Sequence, residues 1–267
     1  MTNSQNLEMR HLKPVLLSVS MFVVSFLCLP SLYVIIWSFF GTSTIGTLGA
    51  FSLRWYEAIF TSRAWIESFA YSTVLAIISS LIATLSAVLY FYFSIWYQRV
   101  YQTLGYVLTV VPLFFPSVIY ALALKVTFSP IGTPEWLPLV IGHVVLLIPI
   151  QYFLIESSNE QIKIEWIQGA ATMGATHREI IRQIVFPLLR RPVFISFGIG
   201  LLFSFDEIVI ASIIIDSSST TVPKKMWDTI NRNMDPTPAV VATVILFVSI
   251  CVIFFYVSRT VQERTTS

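Results

Sequence analysis

The sequence predicts an all-α membrane protein with six transmembrane helices, and three observations support that prediction. The chain of 267 residues is 56% hydrophobic and only 11% charged, whereas soluble domains are about 45–50% apolar and about 25% charged. Its mean hydropathy is +0.79. Long stretches lack Asp, Glu, Lys and Arg altogether. This composition excludes an ordinary soluble enzyme, a disordered chain and a nucleic-acid-binding domain with a dense basic face.

The transmembrane helices are located from the charge-free stretches, because a span needs about 20 predominantly apolar residues. Five stretches meet that requirement, and a sixth, from Pro192 to Ile215, is interrupted only by Asp206 and Glu207. A domain of six helices is thus predicted over residues 15–258, between tails at 1–14 and 259–267. The predicted spans are residues 15–40, 68–94, 102–124, 137–156, 192–213 and 237–258.

The orientation follows from the positive charges in the loops. Six spans place both termini on one side, and the loops on that side carry ten of the 16 Lys and Arg residues. Because Lys and Arg are enriched in cytoplasmic loops, both tails are predicted to be cytoplasmic. The cytoplasmic set is Arg10, Lys13, Arg99, Lys163, Arg178, Arg182, Arg190, Arg191, Arg259 and Arg264, and the outer set is Arg54, Arg63, Lys125, Lys224, Lys225 and Arg232.

The longest predicted cytoplasmic connection, residues 157–191, is amphipathic. Four apolar side chains between Ile180 and Val185 recur at helical spacing, and charged residues fill the opposite face. Gly169 and Gly174 permit turns or the close approach of another backbone. Composition alone leaves two interpretations open, a helix lying on the inner leaflet or a segment that docks on another protein.

The small residues of this segment resemble the signature of permease subunits of ATP-binding-cassette (ABC) importers. That signature is Glu-Ala-Ala, three residues, Gly, nine residues, Ile, one residue and Leu-Pro. Its positions fall here on Gln168, Gly169, Ala170, Gly174, Ile184, Phe186 and Pro187. Four of these match, and Gln168 can form hydrogen bonds but not the ion pair of the usual Glu. The resemblance implies a short coupling helix that docks in a groove of the ATPase through Gln168, Gly169, Ala170, Ala171, Gly174, Ile184 and Pro187.

The resemblance extends along most of the chain. The pieces that carry it, in order, are Phe51–Phe60, Gly142-His143 with Pro149, Leu201–Ile210, Thr221–Pro223, Met226-Trp227, Asp235–Pro238 and Val241–Val244. Together they resemble the second permease subunit of spermidine/putrescine-type importers. This implies the type I ABC importer permease fold and ATP-driven import across the bacterial inner membrane. The implied solute is a polyamine such as spermidine or putrescine, with an opine, aminoethylphosphonate, thiamine or ferric iron as alternatives within the family.

The resemblance also implies partners: a second permease subunit that is a different chain, two cytoplasmic ATPase subunits and an extracytoplasmic substrate-binding protein. The sequence contains no G-x-x-x-x-G-K-[ST] motif, so ATP and Mg would be bound by the ATPase subunits. No catalytic residue, cofactor or metal is expected on this chain, since Cys28 and Cys251 are isolated and no enzyme motif occurs. A self-contained channel or secondary transporter, which would need no ATPase, is the alternative of another class.

Asp206 and Glu207 are the acidic residues that interrupt a predicted span. Charged side chains in spans usually face the protein interior or a water-filled path. Either at least one of the pair faces the translocation path, where its charge would attract a polyamine, or both bond to neighbouring helices or lie among outer headgroups. Because adjacent helical residues point about 100° apart, only one is expected to face a path, and Asp206 is preferred.

Two further features of the sequence give simple expectations. His143 is a lone histidine in the fourth span, and it is predicted to form a hydrogen bond between helices. Lys224, Lys225 and Arg232 form a basic cluster in the last outer loop. That cluster is either solvated or a contact for the binding protein.

Overall fold

The computed structural model describes residues 3–42, 49–96, 99–157, 164–216, 220–232 and 235–265, and its regular elements are helices. They are α1 (Asn3–Phe40), α2 (Arg54–Thr61), α3 (Arg63–Trp96), α4 (Arg99–Val110), α5 (Ser117–Phe128), α6 (Trp136–Glu156), α7 (Ile164–Thr172), α8 (His177–Ile180), α9 (Phe186–Asp206), α10 (Val209–Ile214), α11 (Val222–Arg232) and α12 (Thr237–Thr265). The all-α prediction is therefore confirmed for the part of the chain that the structure describes.

Four helical segments are long and apolar enough to cross a membrane: Leu16–Phe40, Arg63–Ser94, Trp136–Glu156 and His177–Asp206. Shorter apolar helices, Ser117–Ile131 and Thr237–Cys251, overlap the third and sixth predicted spans. Membrane crossing by all six segments and the cytoplasmic position of the termini stay predictions.

The third predicted span, residues 102–124, is not one continuous helix. A 3₁₀ turn over Val111–Phe114 follows α4, and α5 begins only at Ser117. The residue before Pro116 has an extended backbone, with φ −105° and ψ 135° at Phe115. Proline disfavours helical geometry in the preceding residue and provides no N–H, so Pro116 accounts for the break.

The fifth predicted span, residues 192–213, differs from the structure in two ways. The chain is already helical from His177 and runs through a π-helical turn, Ile181–Val185, directly into α9. Helix α9 then ends at Asp206, and Glu207 has an extended backbone with φ −71° and ψ 115°. The assumption of an unbroken helix through the acidic pair is therefore wrong, because both residues lie at a helix break.

The chain forms two compact units, one of residues 1–63 with 226–267 and one of residues 64–225. In the first unit, the end of α1 packs on α2. The ring of Phe39 stacks on Tyr56 with centroids 5.0 Å apart, and Trp55 donates a hydrogen bond to the carbonyl of Gly41 at 3.2 Å. Large apolar side chains of residues 16–32 are exposed, as on a helix that faces lipid or another subunit.

The second unit contains two apolar clusters toward opposite ends of α6. The first, which we call the α10 cluster, joins α3, α5 and α6 to α10 through Leu75, Ala121, Leu139, Val140, Ile210, Ala211, Ile214 and Ile215. The second, which we call the segment cluster, joins α3, α6 and α9 to the 157–191 segment through Ala87, Phe91, Tyr152, Ile155, Ile167, Ile180, Val185 and Leu189. Ile167, Ile180 and Val185 of the 157–191 segment thus pack on the helices of their own unit.

A buried polar contact lies between the two clusters. The Gln151 side chain of α6 donates to the hydroxyl of Ser80 on α3 at 3.0 Å. The hydroxyl of Ser196 on α9 donates to the backbone carbonyl of Gln151 at 3.2 Å. Because buried polar groups away from water are costly unless they are hydrogen-bonded, these bonds fix α3, α6 and α9 to one another.

Candidate coupling segment and acidic cleft

The glycine of the coupling signature ends a helix. The backbone of Gly174 is left-handed, with φ +87°, just beyond the end of α7. Its N–H donates to the carbonyl of Ala171, and the N–H of Ala175 donates to that of Ala170, both at 3.0 Å. These two bonds form a Schellman motif, which satisfies the last carbonyls of a helix and favours glycine at its left-handed position. The turn that Gly174 permits is present, but it joins the short helix α7 to the long helical run that begins at His177.

The helix after this turn begins with a capping box. The Thr176 hydroxyl accepts from the Glu179 N–H at 3.4 Å, and the Glu179 carboxylate accepts from the Thr176 N–H at 2.7 Å. Accepting this N–H lowers the pKa of Glu179. The Thr-x-x-Glu spacing is a known start signal, so the sequence could have revealed this cap.

One face of the coupling segment is buried and another is open. Ile167 and Ile180 are buried in the segment cluster, and the Tyr92 hydroxyl of α3 is hydrogen-bonded to Nε2 of His177. Met173 is 84% exposed, and no atom lies within 4 Å of a Cβ built on Gly174. Of the predicted coupling residues, Ala170 and Ile184 pack against the cluster, Gly169 is half-buried, and Gln168, Ala171, Gly174 and Pro187 are exposed.

The acidic pair divides at the α9–α10 break. Asp206 is exposed, whereas the Glu207 side chain is only 14% exposed. The Glu207 carboxylate accepts from the backbone N–H groups of Val209 at 3.0 Å and Ile210 at 2.9 Å, and thereby caps α10. The break is therefore stabilised by the side chain of Glu207 itself.

Beside Glu207 lies His143 of α6. Its Nδ1 is hydrogen-bonded to the Ser204 hydroxyl of α9 at 2.8 Å, which confirms the predicted bond between helices. Its Nε2 is buried, has no hydrogen-bond partner, and lies 3.8 Å from Glu207 Oε2. These residues line one cleft of about 230 Å³, whose other walls are apolar. The lining is Leu113, His143, Leu146, Leu147, Ile150, Phe203, Ser204 and Glu207.

A second polar group holds the far end of α10, and the sequence analysis did not identify it. The Lys125 ammonium of α5 donates to the carbonyl of Ile213 at 2.7 Å and lies 2.7 Å from the Asp216 carboxylate. Glu135 accepts from the Asp216 N–H at 2.9 Å. Both ends of α10 are thus fixed by side chains from its own unit. Within the described ranges, no three His, Cys, Asp or Glu side chains come together as a metal site.

Comparison with known proteins gives a family match and several relatives. The model of the family described as binding-protein-dependent transport system inner membrane component matches residues 77–267. The spermidine/putrescine transport system permease protein PotC of Escherichia coli (strain K12) is 22% identical over 236 residues, covering 86% of this chain and 88% of that protein. PotC of Haemophilus influenzae is 24% identical, covering 87% and 91%. The putrescine transport system permease protein PotI of Escherichia coli (strain K12) is 23% identical, covering 83% and 82%.

Solved structures with the same fold are ABC transporters. One is a chain of a bacterial ABC transporter involved in the import of the acidic polysaccharide alginate. It is 16% identical, with a TM-score of 0.70 over 97% of this chain and 98% of that chain. A chain of an amino acid ABC transporter has a TM-score of 0.59 at 11% identity, over 78% and 98%.

Proposed function

Because the chain belongs to the family of binding-protein-dependent transport system inner membrane components, we propose that it is the permease subunit of an ATP-driven polyamine importer. Membership of this family makes the chain a transport subunit of the bacterial inner membrane rather than an enzyme. The named polyamine permeases among its relatives support spermidine or putrescine as the solute. The observation that carries the solute assignment is the acidic cleft, in which the largely buried Glu207 side chain lies beside an apolar surface.

The acidic cleft matches the chemistry of a polyamine in two respects. A polyamine consists of ammonium groups joined by short methylene chains, so it needs both negative charge and apolar surface. Glu207 supplies the charge, and Leu146, Ile150 and Phe203 supply apolar walls. A carboxylate in a partly desolvated wall attracts a cation far more strongly than one in water. Both Asp206 and Glu207 are proposed to line the path. Of the two, Glu207 is favoured as the residue that contacts the solute, because it lines the cleft.

The coupling segment supports the ATP-driven part of the proposal. Ile167, Ile180 and Val185 are buried against α3, α6 and α9, whereas Met173 and Phe186 are exposed. The exposed remainder offers small side chains around a glycine turn, where another backbone can approach closely. We propose that this surface receives an ATPase subunit, which binds ATP and Mg. A second permease chain and an extracytoplasmic binding protein would complete the importer.

The proposed topology has six membrane crossings with both tails in the cytoplasm. Helices α4 and α5 would then form the third crossing together, on either side of the Pro116 break, and α9 with α10 would form the fifth. Cysteine accessibility in intact cells tests this arrangement. A cysteine replacing Thr176 in the coupling segment should be labelled only after permeabilisation, whereas one replacing Asp228 of α11 should be labelled directly.

Uptake assays test the transport function. Initial rates of radiolabelled putrescine and spermidine uptake are compared in cells that lack other polyamine importers, with and without this chain and its partners. Uptake should require the chain and should resist competition by opines, aminoethylphosphonate and thiamine. The polyamine assignment fails if one of those solutes is transported instead.

Two matched variants test the acidic pair. Glu207→Gln removes the charge but keeps the shape, and it should reduce the uptake rate by at least about tenfold, since a close charge pair in a protein is worth several kcal/mol. Asp206→Asn makes the same change on the exposed neighbour. Normal transport by Asp206→Asn excludes Asp206 from the path, and normal transport by Glu207→Gln excludes Glu207.

A further inference from the structure

We infer that His143 and Glu207 together bind a primary ammonium group, so that His143 is a specificity-determining contact of the acidic cleft. The inference rests on the proposed polyamine transport. Glu207 alone would attract any cation, whereas the pair would select cations that carry at least two N–H donors. The chemical class recognised is thus an unsubstituted alkyl ammonium.

Under this inference the imidazole proton of His143 is assigned to Nδ1, and the distance between the two side chains is the basis for that assignment. His143 Nε2 and Glu207 Oε2 are 3.8 Å apart, well beyond the roughly 2.7–2.9 Å of a hydrogen bond to a carboxylate. A protonated Nε2 beside a carboxylate would form that bond. The separation fits two acceptors that face each other, and the Ser204 hydroxyl beside Nδ1 can accept the imidazole proton in that arrangement.

His143 Nε2 is buried in this structure, so the proposed site forms when the cleft wall opens, and a group with two donors would then bridge the two acceptors. A nitrogen at about 2.8 Å from each of two atoms 3.8 Å apart subtends an angle of about 85°. That angle is close enough to the tetrahedral H–N–H angle for both hydrogen bonds to stay nearly straight. A primary ammonium has three N–H groups and satisfies both acceptors, a tertiary ammonium has one, and a quaternary ammonium has none. The methylene chain would lie along Leu146, Leu147 and Ile150.

The orphaned nitrogen is the reason to assign a ligand here rather than a packing role. The His143 side chain is fully buried, yet Nε2 has no partner. An unpaired buried polar atom lowers stability, and native structures rarely keep one without a functional cause. The hydrogen bond between helices uses Nδ1 and Ser204, so Nε2 is the ring atom left to contact a solute when the cleft wall opens.

The test compares putrescine with N,N,N′,N′-tetramethylputrescine, which has the same chain and charge but one N–H on each nitrogen. Initial uptake rates of both are measured in cells that carry the complete importer, and the ratio of the two rates is the readout. The binding protein is identical in all strains, so a change in the ratio reports on the permease. Membrane levels of each variant are measured in parallel.

His143→Phe should reduce the preference for putrescine about 10- to 100-fold, the range expected for one hydrogen bond to a charged group. His143→Gln, which keeps an acceptor, should retain most of the preference. Gln151→Leu is the matched control, a buried polar residue two turns further along α6. It should slow both amines equally and leave the ratio unchanged. If His143→Phe does not accumulate, His143→Met removes the acceptor with a more adaptable side chain.

The outcomes separate the two proposals. If the wild-type importer transports putrescine but the ratio is unchanged in His143→Phe or His143→Met, the inference is overturned, and Nε2 contacts only water or packing atoms. If Gln151→Leu changes the ratio as much as His143→Phe, the effect is structural and the inference is equally overturned. If the wild-type importer takes up neither amine, the polyamine proposal itself fails, and the inference fails with it.

Discussion

The left-handed turn at Gly174 allows the effect of backbone strain to be separated from the effect of partner docking. Its φ of +87° is strained for any residue with a side chain. Yet a Cβ at this position meets no atom within 4 Å. The size of a side chain at position 174 should therefore not affect the stability of the isolated subunit, which depends there only on the backbone conformation. We compare three substitutions, Gly174→Asn, Gly174→Ala and Gly174→Trp.

The expected stabilities follow from the turn geometry. Gly174→Ala should destabilise the isolated subunit by about 1–2 kcal/mol, the cost of a left-handed L-residue. Gly174→Asn should cost less, because Asn is enriched in left-handed positions. Gly174→Trp should match Gly174→Ala, since the larger side chain extends into open space. Thermal unfolding of the purified subunit in detergent measures these differences.

The three variants are expected to differ in ATPase binding and transport in another order than in stability. If the ATPase approaches this turn closely, Gly174→Trp should lose co-purification with the ATPase and most of its transport, whereas Gly174→Ala should keep both. Because the two variants carry the same backbone strain, their difference reports on the partner alone. Transport by Gly174→Trp at the rate of Gly174→Ala would refute docking at this turn. If Gly174→Trp were much less stable than Gly174→Ala, the claim that a side chain at position 174 extends into open space would be wrong.

Other side chains give further predictions. Thr176→Ala removes an N-cap and should cost about 0.5–2 kcal/mol, seen as faster amide exchange after the turn. The pKa of Glu179 is lowered in the folded chain, so its stabilisation is complete above the ordinary carboxyl range near 4.5 and is lost as pH falls through the lowered folded-state pKa. The protection factors of amides in the same helix, which correct for the slower intrinsic exchange in acid, should therefore fall on acidification, but not in Glu179→Gln. Gly200→Ala would place a Cβ against buried side chains of α3 and α6 and should cost about 1–3 kcal/mol in thermal unfolding. Lys125→Met should cost about 1 kcal/mol or less, because Asp216 is largely exposed, and should speed exchange at the end of α10.

The sequence predicted the long apolar helices well, because a charge-free run of about 20 residues has few other stable structures. Helix α6 matches its predicted span to within one residue. The sequence prediction did not include α11, because charge-free runs identify only apolar helices and α11 is strongly amphipathic. Its proline at position 223, in the first turn, is a start signal that could have revealed it.

The two helix breaks differ in how far the sequence could reveal them. The break before α5 follows from Pro116, whose effect on its neighbour is local. The break at Glu207 depends on a side chain that caps α10 beside a histidine of another helix. The His143–Ser204 bond joins residues 61 positions apart in sequence, and no local pattern encodes such a pairing. The sequence therefore identified the acidic pair but not which member turns inward.

One continuous helix connects the coupling segment to the acidic cleft. It runs from His177 to Asp206 over 30 residues, a length of about 45 Å. It is fixed at Leu189 in the segment cluster, at Ser196 by Gln151, and at Ser204 by His143. Under the proposed function, a helix held in this way would move with its neighbours as a block, so a displacement of the coupling segment would reach Glu207. The π-helical turn near its start is the least regular part, and it is where the segment would adjust to the proposed ATPase subunit. Under the proposed function, ATP-driven motion and solute binding thus act on the two ends of a single element within residues 64–225.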